Sequence, residues 1–295
     1  MSTNPPAFHA LATGRLDDAG RRVAARARRV LDDLLDEVRR DLVPLAGHAA
    51  VSMKSDGTPV TVHDRETDER MVDVLLDAFP DHGALSEEQD HTAPATDWTW
   101  VLDPIDGTSN FIAGVPHWCV SVALCLEGTP VLGVVEAPAL ARRFVAVAGE
   151  GAFETSAGRD ERLAVRPSVA LHDPAMAHVP GLYSGGAARD LYADGVQLNA
   201  RIMGASALDL ALIARGVAPL AVQLGLRVWD VAAGGLLVAE AGGVALEEGP
   251  EPVLPLRPGR DYSDVAVRIA AAGDAATARE ALEAVERGRA VRRQA

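Results

Sequence analysis

The 295-residue chain carries 28 Lys and Arg against 42 Asp and Glu, a net charge of −14, with 48% hydrophobic and 24% charged residues. Those proportions belong to a globular protein of one large domain or two lobes and argue against wholesale disorder. A surface this acidic repels DNA, RNA and anionic membranes, and 4% aromatic residues leave few platforms for stacking single strands.

In chain order, the opening segment lacks the basic start and apolar run of a secretory leader. Nowhere are there about 20 consecutive uncharged apolar residues. The cytoplasm is the expected compartment. Leu31, Leu34, Leu35 and Val38 recur at helical spacing, which predicts a long helix over 16–43. Its Arg21, Arg22, Arg26, Arg28 and Arg29 are balanced by neighbouring acids, so they read as a solvated face. A loop or hairpin over 53–61, with turn chemistry at Asp56-Gly57, precedes a second helix over 65–79. Short strands follow at 98–102, 118–126, 130–136 and 143–147. The segment 154–200 reads as irregular. Beyond it come a helix over 205–215, a strand over 218–223, a helix over 230–241, a proline-rich loop over 250–261 and a closing helix over 275–292. Interleaved helices and adjacent strand pairs point to a layered α/β protein. The natural division is an N-terminal lobe, 1–150, and a C-terminal lobe, 151–295. The two cysteines, Cys119 and Cys125, are too few for a disulfide framework. Six apart on one strand they stand roughly 20 Å from each other, so both read as buried thiols.

The chemistry concentrates in Asp103-Pro104-Ile105-Asp106-Gly107-Thr108. An apolar strand delivers two carboxylates three residues apart. Pro104 fixes its own φ, and Gly107 allows a tight turn into a helix start. Backbone N–H groups at a helix start attract phosphate, yet two carboxylates beside them would repel it. A hard, oxygen-liganded cation between them, Mg²⁺ above all, resolves the conflict. The lesser alternative for the segment alone is an acidic surface turn rich in Asp and Gly. Further acids stand in defined contexts: Asp64 after an apolar run, Glu87 and Glu88 after Ser86, and Asp230 at a predicted helix start. Asp230 taken alone would be an N-cap, and Lys54 a solvated loop lysine.

Taken together, Val-Thr-x-x-Asp (60–64), Glu-Glu (87–88), Asp-Pro-Ile-Asp-Gly-Thr-x-Asn-Phe (103–111) and Trp-Asp-x-Ala-Ala-Gly (229–234) resemble the inositol monophosphatase family of Mg²⁺-dependent phosphomonoesterases. The resemblance spans roughly 50–245. It implies an αβαβα sandwich, two or three Mg²⁺ ions, a small phosphorylated substrate and a homodimer. By the same resemblance Glu87, Asp103, Asp106, Asp230 and the Ile105 carbonyl are metal ligands. Gly107, Thr108 and Lys54 face the phosphate. Asp64 and Thr108, with Glu87, orient and deprotonate a metal-bound water. Asp106 and the segment Gly204-Ala205-Ser206 approach the substrate. So does Gln223, where the family often has Glu; Ser86 likewise replaces a common Gly. Hydrolysis by activated water needs no covalent nucleophile, and the chain has neither a Gly-x-Ser-x-Gly elbow nor a Gly-x-x-x-x-Gly-Lys loop.

The resemblance leaves the leaving group open. An inositol-phosphate-like polyol or sugar phosphate is the main expectation. Residues 114–118 and 137–144 look more like the histidinol-phosphatase branch, whereas Gln223 in place of Glu argues against a cationic alcohol. A catalytically silent metal-binding member of the family is the rival from another class.

Overall fold

The computed structural model describes residues 8–294 apart from 12, 55, 56, 58 and 157. The predicted turn residue Asp56 lies outside the described residues. In chain order the elements are β1 (Phe8–Ala10), α1 (Asp18–Leu42), β2 (Val51–Met53), β3 (Pro59–Thr61), α2 (Val62–Ala78), β4 (Gly83–Ser86) and β5 (Trp98–Asp106). Next come α3 (Thr108–Ala113), β6 (Cys119–Leu126), β7 (Thr129–Ala137), β8 (Arg142–Val147), β9 (Gly151–Ser156), β10 (Arg159–Arg162) and β11 (Pro180–Tyr183). The chain ends with α4 (Gly185–Ala193), β12 (Asn199–Arg201), α5 (Ser206–Ala214), β13 (Leu220–Leu226), α6 (Val228–Glu240), β14 (Val244–Glu248), β15 (Val267–Ala272) and α7 (Ala275–Gln294).

Seven strands form one sheet in the order β10-β9-β8-β7-β6-β5-β4, antiparallel except for β4 beside β5. Six form a second sheet in the order β1-β14-β15-β13-β11-β12, in which β11 runs parallel to both β12 and β13. The chain passes from the first sheet to the second between Arg162 and Pro180. Helices α1 and α2 cover the outer face of the first sheet, α5 and α6 lie between the sheets, and α4 and α7 cover the far face of the second. The layers therefore run αβαβα.

The sequence explains these placements. Helix α1 is amphipathic: it buries Leu31, Leu34, Leu35 and Val38 and turns its charges outward. Asp17 caps it by accepting the Gly20 N–H at 2.7 Å, a contact worth about 1 kcal/mol. Helix α6 is apolar nearly all round, with Val228, Trp229 and the run 231–238 buried. Only a layer with protein on both sides accommodates such a helix. It meets the first sheet at backbone distance: a Cβ on Gly133 of β7 would lie 2.9 Å from the Ala233 carbonyl oxygen. Gly234, in turn, lies flush against Leu210 of α5.

The segment 154–200 is not irregular. It holds the end of β9, then β10, β11, α4 and β12. Its strands are three to six residues long and α4 is rich in Gly and Ala, so no periodicity builds up in the sequence. Cys119 and Cys125 are both free and buried.

Candidate metal centre and active site

Strand β5 carries Asp103 and Asp106 to a break in its register with β6. The Asp103 carboxylate accepts the Ile105 N–H at 3.0 Å and folds the chain locally. Gly107 then turns with φ 88°, a conformation only glycine adopts easily. A Cβ there would press on the Gly204 carbonyl at 3.1 Å and the His117 carbonyl at 3.2 Å. The second half of the chain thus closes over this turn. Helix α5 approaches from the same side, and the Ala207 N–H donates to Asp106 Oδ2 at 2.7 Å. Cys119, which gave no functional signal in the sequence, donates its thiol to that same oxygen at 3.5 Å.

Helix α6 brings the third carboxylate. Asp230 caps its first turn by accepting the Arg227 N–H at 2.6 Å. One oxygen each of Asp103, Asp106 and Asp230 lies within 4.8 Å of the others. Burial raises the Asp103 carboxyl well above its ordinary value, and the charges of Glu87, Asp106 and Asp230 raise it further. Burial pushes Asp106 up to about 7, although the Ala207 and Ser206 amides oppose the shift. Asp230 is pushed to about 8, by burial first and then by Asp106 and Glu87. An all-oxygen set of this kind suits a hard divalent cation.

Glu87 stands beside this trio and is held differently. Its N–H donates to the Leu102 carbonyl at 3.1 Å, which aligns it with β5. Its carboxylate takes Lys54 Nζ at 2.7 Å, and Lys54 also pairs with Glu88. Burial lowers the Lys54 pKa, but the two carboxylates outweigh it and the net shift is upward. Lys54 is therefore an ion-paired wall of the site rather than a solvated loop lysine.

Asp64 is fixed by a reciprocal cap at the start of α2. Its Oδ2 accepts the Thr61 N–H at 2.7 Å and the Thr61 hydroxyl at 2.6 Å. Its Oδ1 faces Thr108 Oγ1 at 3.1 Å, and that hydroxyl also reaches the Ile105 carbonyl at 3.0 Å. Burial raises the Asp64 pKa against those hydrogen bonds. Ser86, where the family often has Gly, donates to Asp68 Oδ2 at 2.7 Å.

Lys54, Glu87, Gly107, Thr108, Gly204 and Asp230 line a cavity of about 480 Å³, whereas Asp64, Asp103, Ile105, Asp106, Ala205 and Ser206 are not on its wall. Arg227, His91, Ser263 and Asp264 line it too and were missed in the sequence. Arg227 stood in view, three residues before Asp230. His91 is placed by its Nε2 donating to the Glu87 carbonyl at 2.8 Å and by stacking on Trp229. Ser263 and Asp264 arrive from the loop before β15 and carry no local signal. Ala205 is fully buried under the Gly107 turn. Gln223 does not line the cavity. It is buried, and its amide donates to Asp209 Oδ2 at 2.7 Å, while Asp209 Oδ1 accepts from His117 Nε2 at 3.1 Å.

The geometry is that of a phosphomonoesterase built on clustered carboxylates. Residues 19–287 match the model of the inositol monophosphatase family, and the chain belongs to that family. A histidinol-phosphatase of Mycobacterium tuberculosis is 37% identical over 198 residues, covering 65% of this chain and 75% of that protein. An inositol-1-monophosphatase of Mesorhizobium japonicum is 35% identical over 199 residues, covering 65% and 73%. The extragenic suppressor protein suhB of Bartonella henselae superposes with a TM-score of 0.71 at 28% identity, over 89% of this chain and 99% of that one. An IMPase/NADP phosphatase complexed with Mg²⁺ and phosphate reaches 0.72 over 89% and 95%, and at 21% identity it speaks for the fold alone. Among the described residues no helix is long and apolar enough to cross a membrane.

Proposed function

We propose that the chain hydrolyses a small phosphate monoester, an inositol-phosphate-like polyol or sugar phosphate, with two or three Mg²⁺ ions held by Asp103, Asp106, Asp230, Glu87 and the Ile105 carbonyl. One observation carries the reading. Three buried or half-buried carboxylates converge within 4.8 Å, and among the described residues no Lys, Arg or His forms an ion pair with any of them. Their raised pKa values show the cost of that arrangement without a cation. Mg²⁺ bound there supplies activation of water and neutralises charge on the departing oxygen.

The chain's own groups do the remaining work. Thr61 holds Asp64 Oδ2, which leaves Oδ1 to take the Thr108 hydrogen. The Thr108 oxygen then turns its lone pairs to the cavity and orients a water there. As that water gives one proton to the Thr108 oxygen, Thr108 passes its own hydrogen to Asp64 Oδ1, with the Glu87 carboxylate helping to orient the water. The turn at Gly107 and Thr108 offers N–H groups to the phosphoryl oxygens, and Lys54, paired with Glu87 and Glu88, offsets their charge on the phosphate side. The water oxygen bonds to phosphorus as the ester oxygen leaves, and no enzyme side chain is phosphorylated. Of Asp106 and the 204–206 segment, Gly204 lines the substrate side of the cavity, while Asp106 is held behind it by the Ala207 amide.

The second reading is histidinol phosphate. It is supported by the similarity to a histidinol-phosphatase and by residues 114–118. Gln223 weighs against it, because its amide is spent on Asp209 and β13 offers no carboxylate to an amine. A cytoplasmic homodimer of two-lobed subunits, divided near residue 150, completes the proposal. Phosphate release from histidinol phosphate, inositol phosphates, sugar phosphates and 3′-phosphonucleotides, with and without Mg²⁺, tests it. The expected result is Mg²⁺-dependent turnover favouring a neutral polyol ester. No turnover on any ester in Mg²⁺ overturns the reading, and a preference for histidinol phosphate selects the second one.

A further inference from the structure

A second cavity, of about 340 Å³, opens on the far face of the second sheet between α4 and α7. Arg189 of α4 and Arg289, Arg292 and Arg293 of α7 line it, with Asp190 as their one acidic neighbour in the wall. Asp190 is already ion-paired twice: Arg292 donates to its Oδ1 at 2.5 Å, and Arg289 stands 3.6 Å from its Oδ2. Arg289 also pairs with Glu286. Arg189 reaches only the Gly185 carbonyl, at 3.3 Å, and Arg293 has no partner among the described residues. Behind the cleft, Arg268 pairs with Glu248 and shares Glu286. Five arginines thus face three carboxylates in a chain whose net charge is −14.

We propose that this cleft binds a compact polyanion carrying two or more phosphate or carboxylate groups. Planar guanidinium groups converging from two helices match such oxygens in pairs. A low-dielectric cleft also concentrates their field. The ligand is small and needs no base, because no aromatic side chain lines the cavity. Its wall includes the first turn of α4 at Gly186, where a Cβ would meet nothing closer than Leu224 Cδ1 at 3.5 Å. The cleft shares no residue with the active-site cavity, yet the two adjoin along β13: Leu224 lines one, Gly225 and Arg227 the other.

Methylenediphosphonate, a non-hydrolysable probe, tests this by calorimetry on the Mg²⁺-loaded protein. The wild type is expected to bind one equivalent more than the double variant Arg189→Glu/Arg293→Glu, whose two side chains are both exposed. Gly186→Asp gives an independent check. It adds a carboxylate to the cleft wall, removes no ion pair, and suits the first turn of a helix. Both variants should keep wild-type phosphatase activity and melting temperature while that equivalent weakens at least tenfold. Retention of the extra equivalent in either variant, or its absence from the wild type, overturns the proposal.

Discussion

Two groups of buried carboxylates hang on the first sheet and are treated in opposite ways. Glu136, on β7, is fully buried and fully paired. Its Oε1 takes Arg39 Nε at 2.7 Å and its Oε2 takes Arg143 Nε at 2.7 Å. Arg143 continues to Asp32 at 2.9 Å and Asp36 at 2.7 Å, which ties α1 to the sheet. Asp103 and Asp106, on β5, are likewise buried, and among the described residues no cationic side chain pairs with them. The first group closes its charge balance inside the chain, and its role is to hold a helix in place. The second leaves that balance open, and it is there that a partner from outside the chain must enter. Burial alone does not separate structural from functional acids; the presence or absence of an internal counter-charge does.

The largest effect should follow from removing a carboxylate of the open group. Asp103→Asn is expected to lower kcat/KM by more than about 100-fold, beyond the usual cost of a change behind a metal ligand. Its melting temperature without metal should hold or rise, since one source of repulsion is gone. Full activity in that variant would take Asp103 out of the site. Glu136→Ala should do the reverse: about 3 kcal/mol of stability lost in urea unfolding, because Arg39 and Arg143 lose their shared buried carboxylate and Arg143 keeps only the more exposed Asp32 and Asp36, with KM for substrate unchanged. A substrate-binding defect at wild-type stability would erase the distinction between the groups.

A third effect depends on pH. The folded-state pKa values of Asp106, about 7, and Asp230, about 8, exceed the ordinary carboxylate value. The folded metal-free protein therefore holds more protons than the unfolded chain between about pH 4 and pH 8. These groups destabilise the fold progressively as pH rises through that window. Without metal, the melting temperature should fall between pH 6 and pH 8.5. The rise produced by Mg²⁺ should grow over the same interval, since the ion displaces those protons. A Mg²⁺ effect independent of pH would break the link. The smallest effect belongs to Ser86→Ala, expected to cost about 0.5–1.5 kcal/mol through the lost bond to Asp68, with activity within a few-fold of wild type.

Much of this was legible from residues with strong local grammar. The leucines of α1 repeat at helical spacing, and the apolar run of β5 ends in two aspartates and a glycine. Asp103, Asp106 and Asp230 do converge, although more than 120 positions separate the last two. What escaped has a physical reason. Strands β11 and β12 are too short to show alternation, and α4 is built of Gly and Ala. Gln223 aligned with a substrate contact, but its orientation depends on Asp209, fourteen residues away on another element. Lys54 read as a lone cation because Glu87 and Glu88 come to it only in the folded chain.

The close seat of α6 on β7 has a consequence for which ion the site prefers. Gly133 and Ala233 touch main chain to main chain, so the helix cannot shift toward or away from the sheet without a clash or a void. Asp230 rides on that helix and Asp106 on the neighbouring sheet. The opening between them is therefore set by backbone contact and cannot widen to suit a guest. A larger ion with a loose shell of seven or eight oxygens needs such widening, whereas a small six-coordinate one does not. Discrimination against Ca²⁺ would then originate at Gly133 of β7, a residue that offers no ligand to the metal.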